Sequence, residues 1–296
     1  MRKSSVKKRC AAFSMPYFEG WYLKHQCSGR TIAFIPAVHR GEDGKWEVSL
    51  QIVTEKGAWY LTYPEEACRI CRKPFCVMIG KNIFTDNGVH LDICEEGLKV
   101  KGNILYQKTD GLRYDIMGIF KYVPFLQCRH GVLSMCHRLK GILNLNGERI
   151  SLTGGRGYIE TDRGRSFPKS YLWTQCFFGR IDSIMLSVAD IPFSLVHFQG
   201  CICAIHYRGR EYRLATYLGV HIDQYQDGTV AISQGRMKVK ITRLSEAGYG
   251  LKAPQKGKMS RIIRESPSCQ VRYQFWIDKK PVFDFVSKQA SFEQTE

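Results

Sequence analysis

A chain of 296 residues with 44% hydrophobic side chains is long enough to bury a substantial core, as one large domain or two of about 150 residues each. No apolar run approaches the ~20 residues of a membrane-spanning helix, and the basic Met1–Cys10 segment is followed by no long apolar stretch, so neither a transmembrane anchor nor a secretory signal is expected and the expected location is the cytoplasm. A formal charge of +17 favours anionic partners, but the basic residues are spread along the chain apart from the Arg2–Arg9 cluster and carry no nucleic-acid module signature. Peripheral contact with an anionic membrane surface is therefore expected ahead of any specific nucleic acid.

In chain order the residues read as strands. Short runs rich in Val, Ile, Tyr, Phe and Thr recur between turn signals without a sustained 3.6-residue period, which predicts an all-β chain. Cys68, Cys71 and Cys76 lack the second pair that a structural zinc site wants, and Cys201 and Cys203 share one strand face but offer only two ligands, so no metal and no cofactor are expected. The twelve cysteines form no disulfide framework and are expected to be mostly reduced and buried. Asn146-Gly147 predicts a hairpin between Ile142–Leu145 and Arg149–Leu152, and Gly154-Gly155-Arg156-Gly157 reads as a turn because no Gly-Lys-Ser/Thr follows it. Arg208-Gly209 splits Cys201–Tyr207 from Tyr212–Tyr217, and Asp227-Gly228 precedes Thr229–Ser233. Ser245–Ser268, with Gly248, Gly250, Pro254, Gly257 and Pro267, reads as the longest loop. A last hairpin joins Gln270–Ile277 to Val282–Val286 through Asp278-Lys279-Lys280. So many strands are expected to close into barrels or a sandwich, because open edges invite aggregation.

The segment Gly157–Gln175 crowds carboxylates, aromatics and a Phe-Pro break into a short span. In extended chain Tyr158, Glu160 and Asp162 share one face, as do Tyr171, Trp173 and Gln175 on the next strand, and Gly164 with Phe167-Pro168 marks the turn between them. Two carboxylates so close resist double ionisation, so Glu160 and Asp162 are the candidate catalytic acids. The structural alternative is that they brace the turn by accepting backbone N–H bonds or by pairing with Arg163 and Arg165.

This segment resembles the core motif of the tocopherol cyclase family: Tyr158, Glu160, Asp162, Gly164, Phe167, Pro168, Tyr171, Trp173, Gln175 and Cys176 match its Tyr-x-Glu, acidic, Gly and Phe-Pro-x-x-aromatic-x-Trp-x-Gln-Cys pattern. Near the start, Tyr17-Phe18-Glu19-Gly20-Trp21-Tyr22 is similar to the family's amino-terminal signature. Further similarity lies in Phe34-Ile35-Pro36, in Cys128-Arg129-His130-Gly131, and in Leu251-Lys252-Ala253-Pro254 with Met259, Arg261 and Glu265. Three positions depart from the pattern: Arg163 stands where Trp is usual, Phe177 where Asn is usual and Gln127 where Glu is common.

The resemblance implies two lipocalin-like antiparallel β-barrel halves, divided at the Ser151–Gly157 turn into residues 1–153 and 154–296. It implies a cofactor-free, acid-assisted cyclisation of a hydrophobic prenylated phenol or quinol. For such a ligand Trp21, Tyr171 and Trp173 are expected to line the cavity or to fill the barrel core, and Gln175 needs a hydrogen-bond partner that a phenol hydroxyl would supply. Tyr158 shares the acids' strand face and completes the substrate-binding candidates on that segment. Glu19 is a buried-acid candidate whose alternative is a salt bridge, and His130 either orients an acid or is a satisfied structural histidine. The competing functions are a non-catalytic lipocalin-like carrier of a hydrophobic molecule and a basic nucleic-acid-binding module.

Overall fold

A computed structural model describes residues 15–295 apart from 125, 194, 195, 246 and 247; the Met1–Cys10 segment and its Arg2–Arg9 cluster lie outside the described residues. Twelve strands build the first sheet: β1 (Tyr17–Cys27), β2 (Arg30–Arg40), β3 (Trp46–Thr54), β4 (Gly57–Tyr63), β5 (Cys68–Arg72), β6 (Phe75–Ile79), β7 (Asn82–Thr85), β8 (Gly88–Glu95), β9 (Leu98–Tyr106), β10 (Cys128–Leu145), β11 (Glu148–Ser151) and β12 (Arg156–Gly164). Ten build the second: β13 (Tyr171–Phe178), β14 (Asp182–Phe193), β15 (Val196–Tyr207), β16 (Arg210–Ala215), β17 (His221–Gln226), β18 (Thr229–Gln234), β19 (Met237–Arg243), β20 (Tyr249–Gln255), β21 (Lys258–Ile277) and β22 (Lys280–Thr295). The first sheet runs β4-β3-β2-β1-β12-β10-β9-β8-β7-β6-β5 with β11 on β10, and the second runs β16-β15-β14-β13-β22-β21-β19-β18-β17 with β20 on β21. The pairings are antiparallel throughout, and the fold is all-β with two lipocalin-like halves.

Each sheet curls around its own apolar filling. Leu23, Phe34, Leu50, Ile79 and Phe84 are fully buried within the first, and Leu172, Val230, Ile241, Tyr273 and Phe292 within the second. A third cluster, including Tyr22, Met135, Tyr158, Tyr171, Trp173 and Leu251, draws on both and glues them. Burying each such side chain stabilises by about 1.5–3 kcal/mol. The strand β1 works for both halves because its side chains alternate: Leu23 enters the first core, whereas Tyr22, Lys24 and Gln26 reach the second sheet. Tyr22 Oη lies 3.2 Å from Ser291 Oγ, Lys24 Nζ donates to Gln175 Oε1 at 2.9 Å, and Gln26 Nε2 donates to the Gln289 carbonyl at 2.8 Å.

The turn dipeptides perform as their chemistry requires. Asn146 and Gly147, Arg208 and Gly209, and Asp227 and Gly228 all carry positive φ, as tight hairpins with right-handed twist demand. Two expectations need correction. The division at Ser151–Gly157 falls inside the first sheet, because β12 pairs with both β1 and β10; the chain passes to the second sheet only between Gly164 and Tyr171. The Ser245–Ser268 stretch is not a long loop: most of it forms a hairpin of β20 and β21 that turns at Lys256 (φ 47°) and Gly257 (φ 75°). Its prolines mislead because Pro254 and Pro267 sit where the register shifts, so their missing N–H interrupts no regular ladder bond. A Cβ on Gly257 would collide with the Arg40 carbonyl, which accounts for glycine there. Among the described residues no helix is long and apolar enough to cross a membrane.

Candidate functional site

The pleat of β12 turns Glu160 and Asp162 to one face, and the β10 register sets His130 directly across from Asp162. His130 Nδ1 lies 3.0 Å from Asp162 Oδ1, and His130 Nε2 lies 3.4 Å from Glu160 Oε2. The thiol of Cys128 donates to Asp162 Oδ1 at 3.5 Å. Two donors converge on Glu160 Oε2: the Tyr158 hydroxyl at 2.5 Å from the same strand and the Trp173 indole N–H at 3.1 Å from β13 of the other sheet. Oε1 takes neither of these bonds.

Burial pushes the Glu160 carboxyl up to about 8; the His130 cation opposes this, the Asp162 charge adds to it, and the Tyr158 and Trp173 hydrogen bonds pull back. For His130 burial works against the imidazolium, yet the charges of Asp162 and Glu160 and the Asp162 hydrogen bond win and lift it to about 9. The Tyr158 phenol is held well above its ordinary value by burial first and by Glu160 second. The arrangement thus favours an imidazolium at His130, held against Asp162, and a neutral Glu160 at neutral pH. Ligand atoms of His130, Glu160 and Asp162 also lie within 4.8 Å of one another, a spacing that one cation could occupy. The cysteine spacings in the sequence gave no hint of this grouping, which depends on the pairing of β10 with β12.

These groups open into a cavity of about 190 Å³ between the sheets, bordered by His130, Glu160 and Asp162 and by aromatic walls that include Trp21, Tyr171 and Trp173. The remaining predicted residues lie elsewhere. Tyr158 is fully buried behind Glu160 and acts on it rather than on the cavity. Gln175 does not border the cavity: its Oε1 accepts from the buried Lys24 Nζ, 151 residues earlier, while its buried Nε2 has no hydrogen-bond partner among the described residues. Glu19 is likewise outside, buried in an ion pair with Arg72, whose Nε donates to Oε1 at 2.8 Å, and bonded by the Tyr17 hydroxyl at 3.0 Å. Among the described residues neither Glu160 nor Asp162 pairs with an arginine, so Arg163 and Arg165 do not brace them.

Of the departures from the family pattern, Gln127 borders the cavity and donates to the Phe167 carbonyl at 3.2 Å, Phe177 packs beneath Lys24 and Arg156, and Arg163 is exposed. Sequence reasoning missed Glu293, which borders the cavity from β22 directly across from Trp173. Its signal is only an acid in an otherwise alternating terminal strand.

A family profile described as tocopherol cyclase-like matches residues 85–295. The chain belongs to the tocopherol cyclase-like family. The matched span of this tocopherol cyclase-like chain holds His130, Glu160, Asp162, Trp173 and Glu293; the Phe18–Tyr22 motif precedes it, yet β1 pairs with β12 alongside Glu160. No curated protein matches the sequence. Among solved structures, the tocopherol cyclase-like chain is similar to CghA with Sch210972, at 9% identity and a TM-score of 0.59, over 95% of this chain and 88% of that one. A second CghA structure gives the same figures, 9% identity and a TM-score of 0.59 over 95% and 88%. Kievitone hydratase from Nectria haematococca is similar at 11% identity and a TM-score of 0.49, over 95% of this chain and 89% of its own. The CghA likeness is one of fold.

Proposed function

We propose that this protein is an acid-assisted, cofactor-free cyclase acting on a hydrophobic prenylated phenol or quinol held between the two sheets. The observation that supports this most is the state of Glu160: a carboxyl raised by burial, pinned at Oε2 by Tyr158 and Trp173, and bordering an aromatic cavity with its second oxygen available for the proton. In the reaction Glu160 gives that proton to an alkene carbon, a tertiary cation forms, and the phenol oxygen attacks it to close the ring. The phenol proton returns to the Glu160 carboxylate, so substrate and product are isomers and no co-reactant is consumed. Such a carboxyl is a weak acid for carbon, and the remainder of the barrier falls to positioning and water exclusion. The faces of Trp21, Tyr171 and Trp173 each stabilise a nearby cation by about 0.5–2 kcal/mol. A peripheral approach to anionic lipid, favoured by the +17 charge, would bring the protein to where such substrates dissolve.

A carrier needs the apolar walls but not a neutral acid beside an imidazolium–carboxylate pair, which is why catalysis is the preferred reading. The test is chromatography with mass spectrometry of prenylated phenols and quinols before and after incubation. A product of equal mass and shifted retention supports cyclisation; a retained lipid returned unchanged leaves carriage.

A further inference from the structure

Buried polar atoms are almost always hydrogen-bonded, and those that are not ask for an explanation. Among the described residues, three buried side-chain atoms without a hydrogen-bond partner belong to residues bordering the cavity: His130 Nε2 on the first sheet, which has only the Glu160 carboxyl at 3.4 Å, and Tyr171 Oη and Glu293 Oε1 on the second. The reaction outlined above assigns nothing to the last two. Both are set by the sheet: in the β13–β22 register Tyr171 faces Thr295 and Trp173 faces Glu293, so Tyr171 and Glu293 stand one pleat apart on the same face. Tyr171 is 5% exposed and Glu293 7%, so neither atom reaches bulk water in place of a partner.

We propose that Tyr171 and Glu293 form a polar anchor on the second sheet that selects a neutral ligand bearing a hydroxyl or carbonyl oxygen over one bearing a carboxylate. The inference rests on the cavity being the substrate site and adds which chemical class it admits. Burial, followed by the charges of Glu160 and Asp162, pushes the Glu293 carboxyl well up, so it can both donate and accept as a neutral group. An anionic head would shed its hydration against apolar walls and find no free positive charge among the described residues, because the His130 charge is already committed to Asp162. The other cation bordering the cavity, Lys252, holds its ammonium over the Tyr60 ring at 3.9 Å. A phenol or quinol satisfies the anchor without placing charge there.

Isothermal titration with farnesylhydroquinone, its dimethyl ether and palmitate tests this in the full chain. The wild type is expected to bind the hydroquinone about tenfold or more tightly than the ether, and palmitate no better than the ether. Glu293→Leu should weaken the hydroquinone by about tenfold and leave the ether unchanged, whereas Glu293→Gln, which keeps a donor and an acceptor, should stay close to wild type. Tyr171→Phe removes only a hydroxyl and should weaken the hydroquinone by about threefold or more; it decides the matter if Glu293→Leu does not fold. Equal binding of hydroquinone and ether, tighter binding of palmitate, a folded Glu293→Leu with unchanged hydroquinone affinity, or no saturable binding of any probe would overturn the proposal. None of these readouts needs turnover. Selective binding with the hydroquinone returned unchanged would sink the cyclase reading and leave the anchor standing; cyclisation with binding indifferent to both variants would do the reverse.

Discussion

Glu160 and Trp173 belong to different sheets, and the indole N–H of the second meets the carboxyl of the first at 3.1 Å, so the wall of the cavity is also a joint between the halves. The acid is held from two directions, by Tyr158 along its own strand and by Trp173 across the gap.

Replacing that acid separates chemistry from binding. Glu160→Gln keeps the shape and an acceptor for both donors but has no proton acidic enough to give, so turnover of a cyclising substrate should fall by about 10²–10⁴-fold. Affinity measured by titration should stay within about threefold, since one neutral polar group replaces another. A loss of affinity with unchanged turnover per bound substrate would remove Glu160 from the acid role.

The pH profile should fall on its alkaline side. In the proposed reaction the active form is protonated Glu160, raised to about 8, so the rate should decline as pH rises through that value. Trp173→Phe removes a hydrogen bond that favours the ionised carboxylate and should move this limb upward; a downward move would contradict the assigned contact.

Stability should follow the same direction, by a separate route. Glu160 rises from 4.5 to about 8 and His130 from 6.5 to about 9 on folding, so these two groups hold more protons in the native state than in the unfolded chain, whereas His25 and His137, both lowered to about 3 by burial, act oppositely only up to about their unfolded 6.5. The stabilisation is complete below the unfolded values and is lost as pH climbs through the folded ones. Thermal midpoints recorded as pH rises through about 8 and about 9 should fall, and His130→Asn should flatten the upper part of the curve.

Glu19→Gln breaks a buried carboxylate away from Arg72, which is itself 42% exposed and partly screened by solvent, so a loss of about 1–2 kcal/mol is expected in urea unfolding. Turnover should be unchanged, because Glu19 lies outside the cavity.

Lys24→Met should leave Gln175 Oε1 buried without a donor and cost about 1–3 kcal/mol in urea unfolding. The double variant Lys24→Met with Gln175→Leu should recover part of that loss, since both polar partners are then gone. Simple addition of the two effects would mean that the pair is not coupled.

What was legible in the sequence was local. Asn146-Gly147, Arg208-Gly209 and Asp227-Gly228 fix hairpins because their residues accept positive φ, and the period-two alternation of Tyr158, Glu160 and Asp162 is a property of any extended strand. Partners chosen over long separations were not legible: Lys24 for Gln175 and Arg72 for Glu19 follow from strand order, which no short motif encodes. Glu293 escaped for the same reason, since only the pairing of β22 with β13 places it across from Trp173. The glycines and prolines of 245–268 were read as a loop, yet most of that stretch is paired, because a bulged strand absorbs a proline.

The first strand's bonds to Gln289 and Ser291 span 263 and 269 residues. Contacts of such sequence separation are slow to find, so these bonds from Tyr22 and Gln26 form late in folding. The cavity is therefore a product of docking: neither half alone has both the acid and the indole that grips it, so its wall is complete only once the two sheets have met.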